Sequence, residues 1–190
     1  SNGVSIDVQL PKEFRKIVTL GQLREYAPDN AGSAPVFPVG QDVAGRGYWA
    51  DLSDANHAHY LVAGTTGSGK SEFLKSLMAG MAGLLGPDRL RFIPIDPKRV
   101  TFQLSGDSPY FGPPGTNTGV AHTAEEATPL LEWCGQETER RYQLLRDRGV
   151  SDLNQLVPDD PDTPPRIVVV CDEFPDLISD PDLKEQLNRF

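Results

Sequence analysis

Residues Ala63-Gly64-Thr65-Thr66-Gly67-Ser68-Gly69-Lys70-Ser71 follow the apolar run Tyr60-Leu61-Val62 and lead into Glu72-Phe73-Leu74-Lys75-Ser76-Leu77-Met78. The pattern is GxxxxGK[ST], a phosphate loop, and it calls for a strand before it and a helix after it. Gly64, Gly67 and Gly69 are expected to take positive φ and to let the backbone come close to phosphate groups. Successive amides, and the positive end of a helix beginning near Lys70, then point at the anion. The expected nucleotide-binding set is Gly64, Thr65, Thr66, Gly67, Ser68, Gly69, Lys70 and Ser71. Lys70 is assigned to the β- and γ-phosphates and the Ser71 hydroxyl to Mg2+.

A second motif lies downstream at Ile167-Val168-Val169-Val170-Cys171-Asp172-Glu173. Four apolar residues and a cysteine predict a strand buried on both faces, whose end carries two carboxylates to the edge that holds Lys70. Asp172 is expected in the Mg2+ shell, through water or Ser71. Glu173 is placed to polarise a water for in-line attack on the γ-phosphate. Between the motifs, Arg91-Phe92-Ile93-Pro94-Ile95 reads as a strand that ends at Asp96-Pro97-Lys98-Arg99. The ends of parallel strands form the ligand edge of an open α/β sheet, so these charges face either a ligand or solvent. A strand inserted between the motifs, with a glutamate after the aspartate, points to motor-type phosphate-loop proteins rather than to a kinase or a small GTPase.

Working outward, residues 36–52 predict a hairpin of two short strands around Asp42-Val43-Ala44-Gly45-Arg46-Gly47. Upstream, Val4-Ser5-Ile6-Asp7-Val8 alternates, 21–26 is a short helical candidate, and the turn-rich 29–35 reads as a linker. The expected organisation is an N-terminal linker segment over 1–35 and one α/β core over 36–190. The helix after the phosphate loop carries Phe73, Leu74, Leu77, Met78, Met81 and Leu85 at helical spacing and should end at Gly86-Pro87. Residues 106–119 are Gly/Pro-rich loop. A long helix is expected over 123–148, with Leu130, Leu131, Cys134, Tyr142 and Leu145 inward and charges on its solvated faces. His57 and His59 read as capping or packing residues, and residues 159–165 as an exposed acidic loop.

The 190 residues suit one domain with a full core, and 38% hydrophobic with 24% charged residues is ordinary for a globular chain. No apolar run approaches the length of a membrane span, and Ser1-Asn2-Gly3 opens no signal peptide. Lacking an initial methionine, the chain reads as a piece of something longer. Cys134 and Cys171 are expected as buried reduced thiols, which fits the cytoplasm and leaves no cysteine-based metal site. A net charge of −9 argues against a chain that coats nucleic acid, because neutralising phosphates needs a clustered basic face.

With these residues in view, the chain resembles the RecA-like motor domain of the FtsK/SpoIIIE DNA translocases, within the wider FtsK/HerA group. The resemblance runs through Val39 to Gly45, Ala50-Asp51-Leu52, His59 to Ser71, Ile95 to Lys98, Trp133-Cys134, Glu139 to Tyr142 and Val169 to Leu177. Residues 11–23 look like the linker into that domain. It implies an α/β, RecA-like P-loop NTPase: a mostly parallel central sheet flanked by helices, preceded by a short β-hairpin and the linker. It also implies an ATP-hydrolysing homo-hexameric ring that moves double-stranded DNA, with ATP and Mg2+ as cofactors. Lys70 and Ser71 match the family's Walker A residues, and Asp172 and Glu173 its Walker B pair. Asp96 to Arg99 match an Asp-Pro-Lys segment whose task stays open.

The family's sensor segment, trans-acting arginine and DNA-gripping loops are expected beyond Phe190, so this piece alone is expected to hydrolyse ATP weakly or not at all. Pro175 replaces a common alanine. Two other readings remain at this point: an FtsK/SpoIIIE-like ATPase driving polypeptide export, as in type VII secretion, and an assembly module in which nucleotide controls ring formation.

Overall fold

The structure, a computed structural model, describes residues 17–42, 44–103, 108–116, 118–157, 160, 162–173, 175, 179 and 181. The alternation at Val4 to Val8, Val43 of the hairpin turn, and Phe174, Asp176 and Leu177 of the resemblance fall outside them.

Helix α1, Leu20–Arg24, begins with a capping box: Gln22 N–H donates to Thr19 Oγ1, and Thr19 N–H donates to Gln22 Oε1. The turn-rich stretch after it folds into a 3-10 turn, Asp29–Gly32, which seats Ala31 and Ala34 with Val36 against Trp49 and Leu84. Strands β1, Val36–Gln41, and β2, Gly47–Asp51, form the expected antiparallel hairpin, with Val36 opposite Asp51 and a register shift between Pro38 and Gly40. Asp42 ties its turn by accepting the N–H groups of Ala44 and Arg46, both at 2.9 Å.

Helix α2, Lys70–Ala82, follows the phosphate loop and ends sooner than the expected Gly86. At and just past its end, the carbonyls are taken by side chains of other segments. The Tyr110 hydroxyl donates to Ala82 and Leu85 O at 3.1 Å, Arg24 donates to Gly83 O, and the N–H groups of Leu84 and Leu85 both turn back to Met81 O. Strands β3, Leu90–Ile95, and β4, Arg166–Cys171, pair in parallel, with Leu90 opposite Arg166 and Ile95 opposite Cys171. Helix α3, Ala124–Arg148, lies between them in sequence, capped by Thr123 and ended by Gly149 in the left-handed conformation.

The alternation of β4 sorts its side chains. Val168 and Val170 join Leu74, Leu77, Met78 and Met81 of α2, whereas Val169 and Cys171 meet Ala127 and Leu131 of α3. Helices thus cover both faces of the parallel pair, the layering of an α/β fold. Two expectations need correction here. Tyr60-Leu61-Val62 is not a strand: it makes no sheet pairing among the described residues, and Leu61 is 84% exposed. Three apolar residues carry too little β preference without cross-strand partners to hold them. Strand β4 is also only half-buried apart from Val170, because its edge away from β3 has no strand beside it among the described residues.

Strand β3 is the buried centre, and it carries a residue that the hydrophobic pattern did not single out. Arg91, 6% exposed, spreads its guanidinium across the loop on the far side of β3. Nε donates to Gly112 O at 2.9 Å, Nη1 to Pro109 O, and Nη2 to the carbonyls of Phe111, Pro113 and Thr116 at 2.7–2.9 Å. That loop runs beside β3 through bridges at Phe92–Phe111 and Ile95–Ala121.

Candidate nucleotide site

The phosphate loop takes the shape its glycines permit. Gly67 and Gly69 sit at φ +78° and +98°, and Gly69 caps α2, whose first residue is Lys70. Gly64 does not have positive φ, contrary to expectation. Its need for glycine is space: a Cβ there would stand 2.4 Å from Ser68 Oγ and 3.4 Å from Lys70 Cγ. Thr65, Thr66 and Ser68 lie exposed along the loop, with Ser68 N–H donating to Thr65 O at 3.0 Å. The Lys70 ammonium folds back over the loop and donates to Gly64 O at 3.0 Å.

The two motifs meet. Ser71 Oγ donates to Asp172 Oδ2 at 3.2 Å, joining the first turn of α2 to the end of β4. Asp172 is 5% exposed, and its other oxygen accepts Glu173 N–H at 3.1 Å. A hydroxyl and a carboxylate at one point are oxygen donors of the kind a hard divalent cation takes, so the residues present fit Mg2+. Among the described residues no cluster of three His, Cys, Asp or Glu is arranged around a metal. Phosphate oxygens and water supply the rest of such a shell in nucleotide sites.

Glu173 stands just past the strand with φ +56°, in the left-handed region that costs a non-glycine residue about 1–3 kcal/mol. Lys98 Nζ pairs with its Oε1 at 2.9 Å. The turn after β3 therefore belongs to the site, and the solvent reading of Asp96 fails: it is 0% exposed. Thr101 on the same turn, also buried, donates through Oγ1 to Asp172 Oδ2. Sequence reasoning missed Thr101. The available signal was a hydroxyl in the turn that leaves a charged strand end.

Cys171 and Cys134 are free, and burial pushes their thiols up to about 12 and about 11. Both stay neutral at pH 7 and add no charge beside Asp172. His57 holds Asp54 at 2.9 Å in an exposed local turn, away from this chemistry.

A sequence model of the FtsK/SpoIIIE family matches residues 22–182, a span that takes in the phosphate loop, the Asp96 turn and the carboxylate pair. The chain belongs to the FtsK/SpoIIIE family. DNA translocase FtsK of Borreliella burgdorferi is 31% identical over 180 residues, covering 92% of this chain and 22% of that protein. DNA translocase FtsK 1 of Neisseria meningitidis serogroup B is 35% identical over 198 residues, covering 92% of this chain and 24% of that protein. The chain thus spans about a quarter or less of the FtsK relatives it matches.

Among solved structures, the monomeric form of the pCW3 conjugation coupling protein TcpA with ATPgS superposes at TM-score 0.64 and 25% identity, over 87% of this chain and 43% of that one. The cytoplasmic domain of the type VII secretion ATPase EccC of Thermomonospora curvata superposes at TM-score 0.61 and 24% identity, over 90% of this chain and 21% of that one. The latter likeness is one of fold. Among the described residues, no helix is long and apolar enough to cross a membrane.

Proposed function

We propose that this chain is the ATP-hydrolysing core of a motor that moves double-stranded DNA. The observation that carries the chemistry is the meeting of Ser71 with Asp172 at 3.2 Å, one residue from Glu173. Lys70 leaves the Gly64 carbonyl to hold the β- and γ-phosphates of ATP, and the loop amides around Gly67 and Gly69 cradle them. Ser71 and Asp172 hold Mg2+, which supplies positive charge against the phosphates. Glu173 accepts a hydrogen bond from the attacking water and orients it toward the γ-phosphate.

The cargo follows from the FtsK relatives, which are named DNA translocases. With a net charge of −9 the chain has little pull on DNA of its own, so the grip belongs to other segments of a homo-hexameric ring working in the cytoplasm. The test is phosphate release by the whole protein with and without linear double-stranded DNA. Severalfold stimulation by the duplex is the expected result. Indifference to DNA, with stimulation by an exported polypeptide, would replace this reading with a secretion ATPase.

A further inference from the structure

The turn at Asp96-Pro97-Lys98-Arg99 has charges at the ligand edge and, so far, no task. Its geometry is closely determined. Asp96 Oδ2 accepts the N–H groups of Thr101 at 2.8 Å and Phe102 at 3.0 Å, which folds the chain back over the end of β3. Next door, Asp172 N–H donates to Ile95 O at 3.0 Å, fixing the end of β4 beside it. The Thr101 hydroxyl is thereby delivered to Asp172 Oδ2, the same oxygen that accepts from Ser71. One threonine joins two buried carboxylates, through its N–H to Asp96 and its Oγ1 to Asp172. Asp96 Oδ1 is buried and has no hydrogen-bond partner among the described residues.

We propose that Thr101 is a positioning residue for a divalent-cation site formed by Ser71 and Asp172, and that Asp96 shapes the turn that holds it there. This rests on the nucleotide-site reading above. Groups that hydrogen-bond a ligating carboxylate fix its orientation, and their loss typically costs about 10- to 100-fold in metal affinity. Thr101 donates to the oxygen that faces Ser71, so it selects the rotamer in which Asp172 and Ser71 point at one place.

A purely packing role for Thr101 makes the opposite ranking of variants. Thr101→Val keeps the shape and loses the hydroxyl, whereas Thr101→Ser keeps the hydroxyl and loses a methyl group. Packing would favour valine over serine. Positioning favours serine.

The experiment titrates MgCl2 into the whole protein with a fluorescent ATP analogue and repeats the nucleotide titration in EDTA, for wild type, Thr101→Val, Thr101→Ser and Asp172→Asn. Thr101→Val is expected to raise the half-saturating Mg2+ concentration about 10- to 100-fold with unchanged affinity in EDTA. Thr101→Ser should stay close to wild type, and Asp172→Asn should show the larger Mg2+-specific loss. If Asp172→Asn raises the Mg2+ requirement and Thr101→Val does not, the positioning role is overturned while the site reading stands. If neither does, both are overturned. Equal losses with and without metal for Thr101→Val, with a lowered melting temperature, would make Thr101 a folding residue and also overturn the proposal.

Discussion

Glu173→Gln is expected to lower ATP hydrolysis by about 10²- to 10⁴-fold while ATP binding stays near its unmodified level. The amide preserves size and the position at the end of β4, but it cannot accept the proton of the attacking water. That function matters in the transition state and hardly at all in the ground state. Lys70→Ala should behave in the opposite way, because its ammonium contacts phosphates in the ground state as well, and binding itself should weaken. Titration with a fluorescent nucleotide beside a phosphate-release assay on the whole protein separates the two. Equal loss of binding in both variants would sink the assignment of roles.

Arg91→Met is expected to remove about 2–6 kcal/mol of stability, since two buried carbonyls, of Phe111 and Gly112, lose their donor and each buried polar group left unpaired costs about 1–3 kcal/mol. The Arg91 side chain donates to five main-chain carbonyls of the 109–116 loop; those of Phe111 and Gly112 are buried, whereas that of Pro113 also accepts Thr116 N–H and Oγ1. An apolar substitute cannot cancel that demand, because the acceptors belong to the backbone and stay behind. Water entry recovers only part of the loss at a position 6% exposed. Lysine should do little better: an ammonium is a point donor and cannot span acceptors that a planar fork reaches from three nitrogens. Against a typical domain stability of about 5–15 kcal/mol, the change should be plain in a urea-denaturation midpoint. An unchanged midpoint for Arg91→Met would show that the carbonyl cage contributes nothing net.

The phosphate loop and the carboxylate pair were legible in the sequence because each is a local pattern with a local reason. Gly67 and Gly69 announce a backbone that needs positive φ, and Ile167 to Glu173 announce a strand with acids at its end. The long helix was legible too, from its spacing, although Tyr142, expected inward, is 54% exposed. What local pattern could not give was every feature decided by a distant partner. Tyr60 to Val62 reads as a strand until one asks what it pairs with. Gly64 reads like its fellow glycines until Ser68 is seen to occupy the space a Cβ would take. Arg91 reads as one more residue of a strand until five carbonyls converge on it. Thr101 carries no motif, and its hydroxyl acquires meaning only because β3 and β4 are neighbours.

The hydrogen bond from Ser71 to Asp172 closes a span of 101 residues. Closing a flexible loop of that length costs about 4 kcal/mol in chain entropy by the (3/2)RT ln n rule. The candidate site is therefore not a module that either half of the chain can carry. A ligand that grips both groups acts as a clasp on the whole domain, worth about 2.7 kcal/mol at a concentration a hundred times its Kd. Occupancy and integrity of the fold are, for this chain, one thermodynamic quantity seen from two ends.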